Sequence, residues 1–234
     1  MVRPRMRWPG MSNRHVAIDG PSASGKTVVS RALAGRLGTL YLDTGAMYRA
    51  VAYLALRNGV DLDNDTALVE MFAGHSLSIA ADEAAPNGYR VLVDDRDVTA
   101  KLTQPDVTAA VSTVAAAPHI REALVERQRT IASAEPVVMA GRDIGTVVLP
   151  DARYKFFLTA SLAERAERRR LELVANGIAV RGADVAAQLA ERDRLDAART
   201  TSPLRAAADA VLIDSTQIDV DTVVERMLAA MHAQ

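Results

Sequence analysis

Gly20-Pro21-Ser22-Ala23-Ser24-Gly25-Lys26-Thr27 decides the fold. The stretch follows a short β-rich run, His15–Asp19, and opens a helical pattern over Gly25–Leu37, which is the strand–loop–helix context a phosphate-binding loop demands. Glycines let the backbone bend around phosphate oxygens, and the successive amides and the helix N-terminus turn positive charge toward them. Gly20, Pro21, Ser22, Ala23, Ser24, Gly25, Lys26, Thr27 and Val28 are therefore the expected residues for binding a nucleoside triphosphate. Lys26 is placed to reach the outer phosphates, and Thr27 to set its hydroxyl on the nucleotide's Mg²⁺. A chance glycine-rich turn has no reason to sit between a strand and a helix.

Outward from the loop, Thr39–Leu42, Pro136–Ala140, Tyr154–Thr159 and Ala210–Asp214 read as further buried strands. They alternate with helical patterns near Gly45–Asn58, Asp106–Ser133, Leu162–Asn176, Ala183–Ala198 and Asp219–His232. That alternation predicts an α/β fold, a parallel five-stranded P-loop sheet with helices on both faces. Ser161 and Glu164 stand at capping-box spacing before one of the helices. Between Asp61 and Pro105 the pattern changes: Ser76–Ala81 and Tyr89–Asp94 alternate apolar and polar around Pro86-Asn87-Gly88, which predicts a hairpin inserted into the frame. The expected organisation is a flexible tail at 1–13, a core over 14–60 and 106–234, and a small insert at 61–105.

Charge and composition narrow the function. The 28 basic residues nearly cancel 29 acidic ones, so no overall field draws the chain to nucleic acid or to an anionic membrane. An anionic ligand must be held by a local cluster. The absence of cysteine excludes disulfides, thiolate zinc sites and a cysteine nucleophile. His15, His75, His119 and His232 show no metal-ligand spacing. Neither a secretory signal nor an apolar run near ~20 residues is present, so a cytoplasmic protein is expected, with a monomer and no obligate protein partner as the default.

Arginines supply the local cluster. Asp43-Thr44-Gly45-Ala46-Met47-Tyr48-Arg49 closes the second strand and begins a helix; a plain strand-to-helix cap accounts for Asp43 and Thr44 but not for Arg49. Arg142 and Asp143 follow the third long strand and should emerge at the sheet edge where ligands of open α/β sheets collect. There Arg142 can hold a phosphate bidentately and Asp143 can accept from an amino group. Arg165, Arg168 and Arg169 share one helical face, and Arg192, Asp196 and Arg199 repeat the spacing on the next helix. Either set can be a solvated ion-pair ladder, yet together they gather positive charge around one phosphate loop. Phosphoryl transfer needs that, because its transition state spreads negative charge over oxygens.

The chain resembles the bacterial cytidylate kinases from about Val16 to Met231. The resemblance rests on Ile18-Asp-Gly-Pro-Ser22, Asp43–Arg49, Ile120-Arg-Glu-Ala-Leu124, Gly141–Pro150, Glu191-Arg-Asp193, Arg199 and Pro203-Leu204. It implies transfer of the γ-phosphoryl group of ATP to CMP or dCMP, with Lys26, Arg142, Arg165, Arg169 and Arg192 as the catalytic set. It further implies that Thr44, Arg121, Asp143 and Arg199 surround cytosine, that Arg49 and Arg142 hold the phosphate, and that Ser112, Arg192 and Asp196 meet the ribose. The 61–105 insert is then a substrate-binding lobe, and a short helical lid lies around 161–180. One departure is plain: Leu102-Thr103-Gln104 stands where family members often have Ile-Arg-Thr, so an arginine of the family is missing.

Other classes fit less well. A regulatory GTPase needs Asn-Lys-x-Asp, and no asparagine here precedes a lysine. A mechanochemical ATPase needs an apolar strand ending in Asp-Glu, and the one approximation, Leu77–Glu83, runs into a turn. A kinase for UMP, AMP or shikimate on the same fold remains the competing reading.

Overall fold

The computed structural model describes residues 15–82, 84–85 and 87–233; the expected tail at 1–13 lies outside the described residues. The chain divides into two compact units, Met1–Thr39 with Val137–Gln234, and Leu40–Pro136.

The first unit is built on parallel strands β1 (Val16–Asp19), β6 (Val137–Gly141), β7 (Tyr154–Thr159) and β8 (Val211–Asp214). Counting β2 (Leu40–Asp43), the sheet has five strands in the order β2-β6-β1-β7-β8. Every residue of β1 is buried, as a central strand covered on both faces must be. Registers pair Asp19 with Gly141 and with Phe157, and Thr159 with Asp214. β1 and β6 therefore end level, β7 and β8 end level with each other two residues further on, and the loops that follow them rise from one edge of the sheet.

Helices α1 (Lys26–Leu37), α6 (Leu162–Ala175), α7 (Gly182–Ala198) and α8 (Val220–Ala233) complete this unit. Helices α6 and α7 share a small core of Ala166, Val185 and Leu189, against which Leu173, Val180 and the loop residue Ala23 also pack. The capping box forms by half. Ser161 Oγ accepts the Glu164 amide at 3.2 Å, but the Glu164 carboxylate turns to Arg168 and the Ser161 amide donates to Thr216 Oγ1 instead.

The second unit opens with β2 and holds α2 (Thr44–Asn58), α3 (Asp65–Ala73), β3 (Leu77–Ala81), β4 (Tyr89–Val93), β5 (Arg96–Asp97), α4 (Pro105–Val114) and α5 (Pro118–Ala134). Two expectations change here. The single helix expected over Asp106–Ser133 is two, because Pro118 leaves Ala117 extended and then serves as the first residue of α5. The hairpin β3–β4 is present but gains a third strand, β5, and a preceding helix. Asn64 caps that helix by accepting the Ala67 amide, and Leu68 buries its apolar face. Helix α5 has no side-chain cap of its own, and Asp65 supplies one from a distance, accepting the amides of His119 at 3.0 Å and Ile120 at 3.3 Å.

Candidate active site

In the first unit, the loop between β1 and α1 takes the conformation its glycines allow. Gly20 has φ +150°, and a Cβ there would lie 2.0 Å from the Leu158 carbonyl oxygen. Ala23 adopts the left-handed region at φ 59° without being glycine, a conformation that L-residues enter at a cost of about 1–2 kcal/mol. The Lys26 amine folds back over the loop to the Pro21 carbonyl at 2.6 Å and to Ser24 Oγ at 3.4 Å. Thr27 is half-buried beside it and Val28 is exposed.

Arginines brace this loop from behind. Arg165, 6% exposed, donates to the carbonyls of Ala160 and Ser22 and pairs with Asp193 at 2.7 Å. Arg168 bonds the Ser215 carbonyl and hydroxyl, and Ser215 Oγ in turn donates to the Ser24 and Thr159 carbonyls. Arg169 pairs with Glu172 on its own helix, so of the three arginines it is the one the structure does not bring to the loop.

A second group gathers after β6. Arg142 Nη2 donates to Ser22 Oγ at 2.6 Å and its Nε to Asp196 at 2.8 Å. Arg199 bonds the other oxygen of Asp196, and Arg192, half-buried on α7, adds its charge to the same carboxylate. Burial alone would raise Asp196, but the guanidiniums of Arg142 and Arg199 outweigh it and hold the carboxyl below its ordinary range. Asp143 is 4% exposed and is followed by a π-helical turn, Ile144–Val148.

Asp19, which the sequence reading assigned no role, closes this region. Its carboxylate accepts the amides of Ile144 and Gly145. Burial pushes its pKa up to about 6, against the pull of those two amides; the nearby charge of Asp143 adds to the rise and Lys26 opposes it.

The second unit carries its own polar cluster. Asp43 makes no capping bond at the start of α2; its Oδ2 accepts instead from Arg49 Nη2 at 3.1 Å and from Tyr89 Oη at 2.9 Å. The plain cap weighed for Asp43 is thus replaced by an ion pair. A Cβ on Gly45 would stand 3.0 Å from Asp43 Oδ1 and 3.4 Å from Arg49 Nη1, so glycine keeps room for the pair. Burial raises the Tyr89 hydroxyl, and the Asp43 charge raises it further. Tyr89 came from no readable motif; its position in an alternating strand gave no hint of Asp43. Thr44 is buried at the head of α2, and Ser112 is half-buried on α4. Arg121, buried on α5, lies over the Tyr48 ring at 5.4 Å and donates to the Ala115 carbonyl at 3.0 Å. Thr103, at the position of the missing arginine, turns its hydroxyl to the Ala100 carbonyl.

A phosphate-cradling loop at the C-terminal edge of a parallel sheet, braced by arginines, defines a P-loop nucleotide-binding protein. A solved structure of an uncharacterized protein from Eubacterium ventriosum shares the fold, with a TM-score of 0.52 at 13% identity, covering 95% of this chain and 100% of that one. The family model described as cytidylate kinase matches residues 16–233, and the chain belongs to that family. A cytidylate kinase of Pelotomaculum thermopropionicum is 50% identical over 219 residues, covering 94% of this chain and 96% of the relative. One from Geobacillus kaustophilus is 48% identical over 217 residues, covering 93% and 96%.

Proposed function

We infer that this chain is an ATP-dependent nucleoside monophosphate kinase that transfers the γ-phosphoryl group of ATP to CMP or dCMP, giving ADP and CDP or dCDP. Family membership across residues 16–233 carries the reading. The phosphate loop Gly20–Val28 binds the donor. Lys26 stabilises the charge that develops on the transferring group in a site shielded from water, where such a contact is worth most. Arg142, Arg165, Arg169 and Arg192 are assigned to the same charge; support is strongest for Arg142, which already touches the loop at Ser22, and for Arg165, which braces it.

For the acceptor, Arg49 and Arg142 take the phosphate, Ser112, Arg192 and Asp196 the ribose, and Thr44, Arg121, Asp143 and Arg199 the base. A carboxylate at 143 suits cytosine because it accepts from the exocyclic amino group, whereas uracil presents a carbonyl there. The segment 61–105 is assigned to acceptor binding and 161–180 to a lid.

Mg²⁺ fits this arrangement, since it takes most of its ligands from phosphates and water and needs only one or two protein oxygens. Thr27 supplies a hydroxyl beside Lys26, while the Asp19 carboxylate is committed to two amides. Held beside Thr27, the ion would offset the negative charge of the nucleotide's phosphates. Free nucleotides as substrates make a cytoplasmic monomer the simplest setting; among the described residues no helix is long and apolar enough to cross a membrane.

The test is ADP formation from ATP by the purified chain with CMP, dCMP, UMP or AMP as acceptor. CMP and dCMP should be turned over in preference to UMP and AMP. Acceptor-independent hydrolysis alone, or a preference for AMP, would refute the reading.

A further inference from the structure

Asp19 ends β1 as the register partner of Gly141, the last residue of β6. It is 3% exposed, and its two oxygens are spent on two donors: Oδ1 accepts the Ile144 amide at 2.7 Å and Oδ2 the Gly145 amide at 2.8 Å. Those amides open the π-helical turn Ile144–Val148, where the first N–H groups have no partner within the turn. Asp143, at the usual capping position, makes no side-chain cap bond, so a carboxylate from another strand does the capping. Gly145 makes room for it: a Cβ there would stand 3.4 Å from Asp19 Oδ2 and 3.2 Å from Lys155 Cδ.

The residues just before the turn are Arg142 and Asp143. Arg142 is tied to the phosphate loop through Ser22 Oγ, three residues after Asp19. One short passage of chain, Asp19 to Ser22, thus grips the 142–145 segment twice, by its backbone through the carboxylate and by its guanidinium through the hydroxyl.

We propose that Asp19 is a positioning residue for acceptor recognition: by holding the amides of Ile144 and Gly145 it fixes Arg142 and Asp143 relative to the phosphate loop, without itself touching either nucleotide. The proposal rests on the acceptor reading given above. Its chemistry requires a carboxylate, because two amide donors converge on one side chain. Asparagine offers one acceptor and one donor group, so its NH₂ would confront one of the amides. Released from that grip, Asp143 and Arg142 shift, and a misplacement near 1 Å costs on the order of 10²-fold in rate.

The experiment is Asp19→Asn, with kcat and KM measured for CMP, UMP and ATP and folding checked by thermal unfolding. The expected result is a fall in kcat/KM for CMP of roughly 30-fold or more, and a CMP-to-UMP ratio reduced at least about 5-fold, with the KM for ATP changed less than about 3-fold. A folded variant in which CMP and UMP lose equally, or in which only ATP binding suffers, overturns the proposal. Should the variant not fold, amide hydrogen exchange on the wild-type chain decides: Ile144 and Gly145 should exchange as slowly as the core amides of β1, and fast exchange at both overturns it. A wild-type chain that phosphorylates no cytidine nucleotide would point instead to a fault in the acceptor reading, and the exchange measurement would still report on the tether.

Discussion

The two units assemble their charged groups by different routes. In the unit of the phosphate loop, the groups sit at or just past the strand ends and on α6 and α7, and they are cross-braced: Arg165 to Ser22 and Asp193, Arg142 to Ser22 and Asp196, Asp19 to the 144–145 amides. In the Leu40–Pro136 unit, the Asp43–Arg49–Tyr89 cluster draws on β2, α2 and β4, with Asp43 and Tyr89 46 positions apart in the chain. A parallel sheet edge gathers chemistry through its topology, whereas the second cluster depends on where a short antiparallel sheet happens to present a tyrosine. Substitutions in the first unit should therefore hit chemistry and backbone geometry hard, and those in the second should show mainly as smaller losses of stability or binding.

The largest effect is expected at Lys26. Removing one charge that stabilises the transferring phosphoryl group should lower turnover at least ~10³-fold in Lys26→Ala, with the fold intact. Wild-type-like turnover in the purified variant would take the loop out of the mechanism. Next come two glycines, one in each unit. In Gly20→Ala the new Cβ meets the Leu158 carbonyl in a backbone conformation that alanine disfavours, and unfolding free energy should fall by about 3 kcal/mol or more. Gly59→Ala, which ends α2 at φ +65° with nothing within 4 Å of the added carbon, should cost only ~1 kcal/mol. Equal costs in chemical denaturation would show that steric closeness at the sheet edge is not what distinguishes the two positions. An effect of the same small size belongs to Asp65→Ala, which uncaps α5 in the second unit and should cost about 1 kcal/mol. An unchanged melting temperature would mean that solvent caps those amides as well as the carboxylate does.

Legibility in the sequence followed the same division. The loop Gly20–Thr27 was readable because its function requires particular residues at fixed spacing, and β1 and α1 around it because their apolar pattern is local. The parallel five-stranded sheet and the position of Arg142 after a strand followed from the local pattern of the chain. Asp19 escaped because a buried carboxylate that caps a turn 125 residues away leaves no periodic trace. Tyr89 and Asp65 escaped for the same reason, each acting on a partner distant in sequence. The break at Pro118 was present in the sequence, but the alanine run Ala115–Ala117 before it favours helix and masked the boundary. Arg165, Arg168 and Arg169 show the limit of helical spacing as a guide: a shared face brings two to the loop, and Glu172 takes the third.

Cytosine recognition by Asp143 is the central claim, and the ratio of kcat/KM for CMP to that for UMP in Asp143→Asn tests it most directly. Asparagine replaces a pure acceptor with a group that also donates, so it mismatches cytosine and suits uracil better. A site that pairs a substrate's polar group rejects an analogue because its own buried groups go unpaired, and curing that mismatch helps the wrong substrate. In Asp143→Asn, kcat/KM for CMP should fall roughly 10- to 10³-fold, about 1.4 to 4 kcal/mol, while UMP loses much less or gains. Arg49→Ala, assigned to the phosphate that both acceptors share, should weaken the two alike. Equal loss of CMP and UMP in Asp143→Asn would contradict the account and make Asp143 a general electrostatic residue with no part in reading the base.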